Sequence, residues 1–344
     1  MDGASFSSRL EYYIGSCVPG TNVQLSPELY DFRYYDSDHD EVQKSVCYEG
    51  DPLKTRYSCI REAREKVREP FQRYYTDLSR FMNPHAGVLV VIGDCEKCQR
   101  FPCIAKTRPV GCGNNALLPL DDARHMRHVP ELLNGTHPDD IPFDQKENTL
   151  VWRGGRTGDW ESPQKGRRAL VEKYALSSNS HIDVGFTPAS TKAPNVQPFL
   201  DYLKPKLSLE QQLRARFIVS AEGNDVATNL KWVLASNSVP VMPLPTICSW
   251  IMEDRLVPWR HFIPVNADYS DLEEKRAWGA AHPQACARIA RNGKEYMRQF
   301  MNPHTEWELA CRVVSTWADN VTLVQTRPEQ RCGDTVINVK KFSS

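Results

Sequence analysis

The feature that most constrains the fold is the stretch from Arg216 to Pro243, in which two apolar runs flank a glycine bend and a helical pattern. The first run, Arg216–Val219, predicts a buried strand, and the second, Val239–Pro243, predicts another. Between them, Asp225 is a candidate helix N-cap, and the apolar spacing that follows predicts a helix. A strand, a helix and a second strand form one crossover unit of a parallel sheet, so we expect an α/β fold.

The bend Glu222-Gly223-Asn224 gives this crossover unit a candidate ligand site. A bend that opens into a helix presents backbone N–H groups and the positive end of the helix dipole to an anion. Many glycine bends merely begin a helix, so the rest of the chain has to decide between the two interpretations. A dinucleotide-dependent dehydrogenase is disfavoured, because no Gly-x-Gly-x-x-Gly bend occurs.

The length of 344 residues exceeds one ordinary core and predicts two domains, 1–145 and 146–344, with the last helix able to pack back on the first domain. Lysine plus arginine and aspartate plus glutamate both number 43, and this balance does not favour nucleic acid or an anionic membrane as partner. No transmembrane run or signal-peptide pattern occurs, so we expect a cytoplasmic protein with mostly reduced cysteines. In that compartment the Asn-x-Thr motifs at Asn134 and Asn320 would have no function.

Four arginines follow the strand predicted at 149–152. Arg153 and Arg156 flank Gly154-Gly155, and Arg167 and Arg168 begin a predicted helix; all are close to the carboxyl end of a strand. Arginine forks bind phosphate oxygens in pairs, and open parallel sheets bind ligands beyond the carboxyl ends of their strands. The structural alternative is a solvated arginine face that pairs with nearby acids. The loop Met242-Pro243-Leu244-Pro245 is either the wall of a flat pocket or core packing at a domain edge.

Asp94 ends the apolar run that begins at Gly87, which predicts a carboxylate at a strand end. Such a group is either a general base or a turn residue, and its position alone favours neither. Cys95, Cys98, Cys103 and Cys112 lie close together in the sequence. They are a weak zinc candidate, since their spacing lacks two close pairs; the alternatives are unlinked thiols or, in an oxidising compartment, a disulfide.

Several ordered motifs resemble glycosyltransferase family 90, which includes animal protein O-glucosyltransferases and fungal capsule xylosyltransferases. The run Arg153-Gly154-Gly155-Arg156-Thr157 is similar to its Arg-Gly-x-Arg-Thr segment, and 222–232 is similar to its nucleotide-binding bend and helix. Residues 250–254 and 257–265 resemble its C-terminal signature, which continues through 268–274. The resemblance covers about 148–300.

The resemblance implies a GT-B architecture, in which two Rossmann-like domains face a cleft, with a UDP-sugar donor bound by the C-terminal domain and the acceptor by the N-terminal one. It implies inverting transfer of glucose or xylose to a hydroxyl of a glycan or protein, with Asp94 as the base, Arg167 on the diphosphate and no cofactor. Animal members have a further arginine where this chain has Asn229, near Lys231. The predicted donor-binding residues are Arg153, Gly154, Gly155, Arg156, Arg167, Glu222, Gly223, Asn224, Asp225, Val226, Ala227, Asn229, Lys231, Met242 and Pro243. The alternative function is a non-enzymatic, zinc-stapled carbohydrate-binding module built on the four cysteines.

Overall fold

The computed structural model describes residues 5–17, 19–25, 30–33, 43–47, 56–60, 88–91, 94–95, 98, 102–120, 122–158, 165–188 and 197–325. The chain forms two compact units. Unit 1 contains Ala123–Asn302, and unit 2 contains Asp2–Asp122 together with the chain from Pro303 onward. The boundary therefore lies between Asp122 and Ala123, whereas the sequence analysis places it after residue 145.

The elements before the boundary are α1 (Phe6–Ile14), β1 (Thr21–Leu25), β2 (Tyr30–Arg33), β3 (Gln43–Cys47), β4 (Arg56–Ile60), β5 (Val88–Val91), β6 (Cys103–Ala105), β7 (Thr107–Pro109) and β8 (Asn115–Leu117). From the boundary to Asn302 they are α2 (Asp122–His125), α3 (Val129–Leu133), β9 (Glu147–Gly154), α4 (Gly166–Tyr174), β10 (Ile182–Phe186), α5 (Leu209–Leu213), β11 (Ala215–Val219), α6 (Leu230–Ala235), β12 (Val239–Met242), β13 (Ile247–Ser249), β14 (Ile263–Pro264), α7 (Leu272–Ala281) and α8 (Pro283–Arg298). Short 3₁₀ segments lie at Phe143–Gln145, Gln197–Tyr202 and Glu253–Arg255. After Asn302 come α9 (Pro303–Asn320) and β15 (Val321–Gln325).

Unit 1 is built on a five-stranded sheet of order β10-β9-β11-β12-β14, in which every paired strand is parallel. The buried stretches of its strands are apolar, as in 150–152 and 217–219, because helices cover both faces of a parallel sheet. Phe217, Val219 and Val241 are fully buried at its centre. Helix α7 approaches this layer closely at Gly279, where an added Cβ would lie 2.6 Å from the Phe217 ring. The predicted crossover unit is confirmed, since β11 pairs in parallel with β12 and α6 lies between them in sequence.

Unit 2 contains a six-stranded sheet of order β2-β3-β4-β5-β6-β8. In this sheet β2, β3, β4 and β5 pair with one another in antiparallel fashion, whereas β5 pairs in parallel with β6, and β6 with β8. The sheet of this half is therefore mixed, with its parallel strands together at one side. The connections from β2 to β3 and from β3 to β4 are shorter than the roughly dozen residues that a parallel crossover needs. The sequence pattern over 60–81 also predicts a helix; apart from Ile60, which ends β4, these residues lie outside the described ranges.

Asp140 explains why residues 123–145 belong to unit 1. Its carboxylate accepts the Asn237 backbone N–H at 2.8 Å, the Lys146 ammonium at 3.1 Å and the Lys294 ammonium at 3.2 Å. The Asp140 side chain is 2% exposed and that of Lys146 is fully buried. One acid therefore ties the segment before β9 to the end of α6 and to α8, and a boundary after residue 145 would cut through this cluster.

His261 makes the stability of unit 1 depend on pH. Its Nδ1 accepts the Val257 N–H at 2.8 Å, and its ring is 7% exposed. Burial, with a contribution from Arg260, lowers the pKa of His261 to about 4. Below about pH 6.5 the unfolded chain then binds a proton that the folded chain excludes, so the free energy of unfolding falls as the pH drops toward 4.

We expect His261 to remove about 2 kcal/mol from the free energy of unfolding between pH 8 and pH 5. Urea denaturation at both pH values tests this, with His261→Asn as the matched variant. Asparagine presents an acceptor oxygen near the position of Nδ1 but does not titrate, so the variant should lose less stability than the parent over this range. Equal pH dependence in both proteins would contradict the role given to His261.

Candidate active site at the carboxyl edge of the parallel sheet

The candidate site begins where β9 and β11 end, because these neighbouring parallel strands deliver their following bends to the same edge of the sheet. The β9 bend is Gly155–Gly158 and the β11 bend is Ala221–Asn224. The Gly158 N–H donates to the Asn224 side-chain oxygen at 2.9 Å. The two glycine bends that the sequence analysis singles out are therefore in direct contact.

Arg167, in the first turn of α4, joins the two bends. Its Nη1 donates to the Gly155 carbonyl at 3.1 Å and to the Thr157 hydroxyl at 2.6 Å. Its Nε and Nη2 donate to the Ala221 carbonyl at 3.2 and 3.0 Å. Four of its five N–H groups are thus used to hold backbone and side-chain oxygens of the bends together. Arg167 is within the predicted site, where it positions the bends and adds positive charge.

Glycine is required where the bends meet. A Cβ on Gly223 would lie 2.8 Å from both the Arg167 guanidinium and the Thr157 hydroxyl. A Cβ on Gly158, whose φ is +108°, would lie 3.1 Å from the Gly223 carbonyl oxygen. At Gly155, by contrast, an added Cβ would meet no atom within 4 Å. The contact is therefore closely packed, and the β9 bend borders open space at Gly155, where a ligand can approach the backbone.

Arg153 has a structural role in this arrangement. Its guanidinium donates to the Asp183 carboxylate at 2.7 Å, to the Asp183 and Trp152 carbonyls, and to the Pro205 carbonyl at 2.9 Å. Burial alone would raise the pKa of Asp183, but the hydrogen bonds from Arg153 and Lys204 outweigh it and hold that pKa below its ordinary value. Since four of its five N–H groups bind protein acceptors, Arg153 ties β9 to β10 and is not directed at the β11 bend.

Two other arginines lie together beside the bends. The guanidinium carbon of Arg156 is 5.2 Å from the centre of the Phe199 ring, and that of Arg168 is 5.6 Å from the same ring. Arg168 also donates to Glu172 one turn along α4 at 2.8 Å. An aromatic face stabilises nearby cations. The structure therefore concentrates positive charge next to the β9 bend, as the sequence predicts for Arg156.

Glu222 connects the β11 bend to the loop after β12. Its carboxylate accepts the backbone N–H groups of Thr246 and Ile247 at 2.9 and 3.2 Å, and also the Thr246 hydroxyl. Burial raises the pKa of Glu222, although these hydrogen bonds oppose the change. Met242 is buried at the end of β12 and Pro243 is partly exposed after it. The predicted residues Glu222, Met242 and Pro243 therefore belong to one edge.

The helix after the bend differs from its prediction. It begins at Leu230, with Asn229 as an N-cap that makes no side-chain capping bond, so the assignment of Asp225 as N-cap is wrong. Asn229 donates instead to the Val219 carbonyl at 2.9 Å, which closes the connection back onto β11. Asp225, Val226 and Ala227 are buried within this connection. The six-residue α6 is thus separated from the bend and does not open directly from it.

Lys231 is fully buried and lies outside the candidate site. Its ammonium donates to the Ser249 hydroxyl at 3.2 Å and to the Glu253 carboxylate at 3.4 Å. Glu253 also accepts the Ser249 backbone N–H and hydroxyl. Because a buried ammonium needs such compensation, Lys231 serves the packing of α6 against β13, and its contact with a donor stays a prediction.

Asp94 belongs to unit 2 and follows β5, as the sequence predicts. Its carboxylate accepts the Lys106 ammonium at 2.8 Å, with 40% of the Asp94 side chain and 3% of the Lys106 side chain exposed. A neighbouring ammonium stabilises the carboxylate form, which is the form that accepts a proton. The half-exposed Asp94 carboxylate can therefore reach a ligand while Lys106 fixes its position.

The cysteines do not form the predicted zinc candidate. Cys98 and Cys112 are joined by a disulfide. Cys95 and Cys103 are buried free thiols that share Asn115, whose amide donates to the Cys95 sulfur while its oxygen accepts the Cys103 thiol. Burial raises the pKa of Cys103. Within the described residues no group of three or more histidine, cysteine or acidic side chains could hold a metal ion.

Comparison with known protein families identifies the family of the chain. The model described as glycosyl transferase family 90 matches residues 126–342. The chain belongs to glycosyltransferase family 90. It is 34% identical over 249 residues to O-glucosyltransferase LpsA of Dichelobacter nodosus, which covers 71% of each chain. It is 26% identical over 208 residues to protein O-glucosyltransferase 2 of Danio rerio, which covers 58% of this chain and 37% of that protein.

A family 90 member with these relatives is a glycosyltransferase, and the zinc-stapled binding module is set aside. Among solved structures, the chain is similar to sucrose-phosphate synthase from Thermosynechococcus elongatus, with a TM-score of 0.32 and 15% identity. The match covers 57% of this chain and 47% of that chain. In the part of the chain that the structure describes, no helix has the length and apolar character needed to cross a bilayer.

The candidate site contains residues that sequence reasoning missed. Thr157 and Thr246 tie the bends to Arg167 and Glu222, and Phe199 supports the two arginines. Tyr269 is buried behind the bends; burial raises its pKa, and the charges on Arg167 and Glu222 act on it in opposite directions. Thr157 and Tyr269 carried a signal, since Thr157 ends the Arg-Gly-x-Arg-Thr segment and Tyr269 lies in the 268–274 segment. Thr246 and Phe199 lie outside the matched motifs.

Proposed function

We propose that this glycosyltransferase moves a sugar from a UDP-sugar to a hydroxyl of a glycan or protein acceptor, with inversion at the anomeric carbon. The donor would occupy the carboxyl edge of the unit 1 sheet. Glucose is the first candidate sugar, since the relatives are named O-glucosyltransferases. Xylose is the second and differs by one hydroxymethyl group, a difference that few pocket contacts can select. A GT-B arrangement of the two domains is part of this proposal.

The observation that carries the proposal is the contact between the two bends under Arg167. A diphosphate is recognised by backbone that can approach closely and by positive charge held in place. Gly155 borders open space, and Arg156 and Arg168 share the Phe199 ring beside it. Arg156 and Arg168 would contact the phosphates, while Arg167, whose N–H groups are largely used, would hold the bends and contribute charge.

In the proposed mechanism the acceptor hydroxyl attacks the anomeric carbon from the face opposite UDP, and the C–O bond to the diphosphate breaks. Asp94 would take the hydroxyl proton as a general base. Negative charge that develops on the leaving diphosphate would be stabilised by the fixed arginines, which act without reorganising during the reaction. The arginines would stabilise this negative charge without a divalent metal, so activity should persist in a chelator.

The test of this function is binding and hydrolysis with a panel of nucleotide sugars. We expect UDP-glucose or UDP-xylose to raise the melting temperature and to be hydrolysed slowly, with and without EDTA. GDP-sugars should give neither effect. If no UDP compound raises the melting temperature, the proposed donor site is wrong. If activity requires added metal, the role given to the arginines is wrong.

Arg167→Met is expected to weaken UDP binding by at least about tenfold. Hydrogen bonds to charged groups contribute about 1.5–3 kcal/mol each, and the substitution removes those that align the two bends. Isothermal titration with UDP measures the change. Arg298→Met is the matched control and should leave affinity unchanged, because the Arg298 side chain forms an exposed pair with Glu295 on α8. Equal UDP affinity in Arg167→Met and the parent would contradict the role of Arg167 in holding the two bends together.

A further inference from the structure

Residues Asn134-Gly135-Thr136 form an exposed turn that the glycosyltransferase reaction does not use. Asn134 is the C-cap of α3, and all three residues are exposed. The Gly135 N–H donates to the Leu132 carbonyl at 3.2 Å, and the Thr136 N–H donates to the Glu131 carbonyl at 3.0 Å. Gly135 has φ of +66°, and an added Cβ there would meet no atom within 4 Å. The turn is therefore a Schellman motif that stands clear of the rest of unit 1.

The helix cap explains only part of this sequence. Glycine in the left-handed region is what a Schellman motif requires, but the residue after it is usually apolar and packs back on the helix. Thr136 is instead exposed, and its hydroxyl donates to the Glu131 carbonyl at 3.2 Å. The Asn134 amide makes no hydrogen bond with the described residues. Capping thus gives the Thr136 hydroxyl a role but leaves the Asn134 amide unexplained.

The other Asn-x-Thr motif has the opposite environment. Asn320, at the end of α9, donates its side-chain amide to the Cys17 carbonyl at 3.0 Å, and Val321 after it is buried as β15 begins. A substituent on the Asn320 nitrogen would have to fit beside that hydrogen bond and against a strand. The same chain therefore offers one accessible motif and one that its fold protects.

The disulfide is an independent observation on the compartment. Joining Cys98 to Cys112 removes two electrons from two thiols, and such bonds persist in secretory and extracellular compartments. These are also the compartments in which Asn-x-Thr motifs are glycosylated. Unlike the cytoplasmic expectation drawn from the sequence, the disulfide places the exposed motif where it can react.

We propose that Asn134 is an N-glycosylation site and that Asn320 is not. The co-reactant is an oligosaccharide linked to a polyprenyl diphosphate. The Asn134 amide nitrogen attacks its anomeric carbon, an N–C bond forms, the C–O bond to the diphosphate breaks, and the amide proton leaves to a base. Polyprenyl diphosphate is the leaving group, and no atom changes its oxidation state apart from the separate formation of the disulfide.

The experiment directs the full 344-residue chain into the secretory pathway of yeast with a cleavable leader. Digestion with peptide N-glycosidase should lower the mass of the secreted protein and convert Asn134 to aspartate in its tryptic peptide. Asn134→Gln and Thr136→Ala should abolish the shift, Thr136→Ser should retain it, and Asn320→Gln should leave it unchanged. A non-reducing peptide map of the same sample should contain the Cys98–Cys112 link.

Two results would overturn the proposal. One is a secreted, folded protein with unmodified Asn134, where folding is established by a cooperative melting transition. The other is a glycan on Asn320 alone. The Asn134→Gln variant should melt at the temperature of the deglycosylated parent, because the Asn134 side chain makes no contact that the fold uses. A lower melting temperature would assign Asn134 to helix capping and would also count against the proposal.

Discussion

Replacing Asp94 by asparagine is expected to lower kcat by about 10²–10⁴ while leaving UDP binding intact. In the parent, the Lys106 ammonium donates a hydrogen bond to the Asp94 carboxylate at 2.8 Å. Asparagine retains an oxygen that can accept this hydrogen bond, but it cannot take a proton from the acceptor hydroxyl. UDP affinity should persist because Asp94 belongs to unit 2, whereas the proposed donor site is built by unit 1. Transfer assays and UDP titration on the same preparation measure the two effects.

Asp319→Asn is the matched control for this prediction. Asp319 is an exposed acid on α9, also in unit 2, and its loss should change neither kcat nor UDP affinity. Melting temperatures of both variants separate a loss of chemistry from a loss of structure, since Lys106 is buried and depends on its partner. Turnover of Asp94→Asn at the parent rate would remove Asp94 from the mechanism.

The sequence predicted the parallel half of the fold well because its signals are local. Apolar runs mark β9, β11 and β12, and glycines mark the bends that follow two of them. Once these strands are neighbours in a parallel sheet, their bends must meet at one edge. Contact between Gly158 and Asn224 therefore follows from the pattern, although the role of Arg167 as the link between them does not.

The sequence did not reveal which charged side chains have a partner far along the chain. Arg153 and Lys231 both lie near the bends in sequence, and both were predicted to bind the donor. Arg153 is instead paired with Asp183 on β10, and Lys231 is buried against Glu253. No local pattern distinguishes a cation that binds a ligand from one that neutralises a distant acid, because the difference depends on which strands become neighbours.

The sequence did not identify the cysteine pairing or the first residue of α6, for related reasons. Spacing in the sequence does not determine whether two Cβ atoms face each other, so it could not select Cys98 and Cys112, whose Cα atoms lie 5.5 Å apart, from the four candidates. Asp225 has the composition of an N-cap, yet the chain continues to Leu230 before the helix begins. Tertiary contacts, here the Asn229 bond to Val219, override that local preference.

Asp140→Ala is expected to lower the free energy of unfolding by about 3–5 kcal/mol, because it leaves a buried lysine without its partner. Lys146 would keep only its hydrogen bond to the Leu213 carbonyl, and the Asn237 N–H would lose its acceptor. Burial already lowers the pKa of Lys146, and Asp140 opposes that shift. Without the carboxylate, the cost of burying the ammonium is no longer offset. Urea denaturation followed by tryptophan fluorescence measures the loss.

Two further variants decide whether charge or packing is responsible. Asp139→Ala removes a neighbouring acid whose side chain makes no hydrogen bond with the described residues, and it should change stability by less than about 0.5 kcal/mol. Adding Lys146→Met to Asp140→Ala removes the uncompensated charge and should restore part of the loss. If the double variant is as unstable as Asp140→Ala, packing around Asp140 rather than its charge holds residues 123–145 on unit 1. If Asp140→Ala lowers the free energy of unfolding by less than about 1 kcal/mol, the cluster around Asp140 does not have the stabilising role given to it.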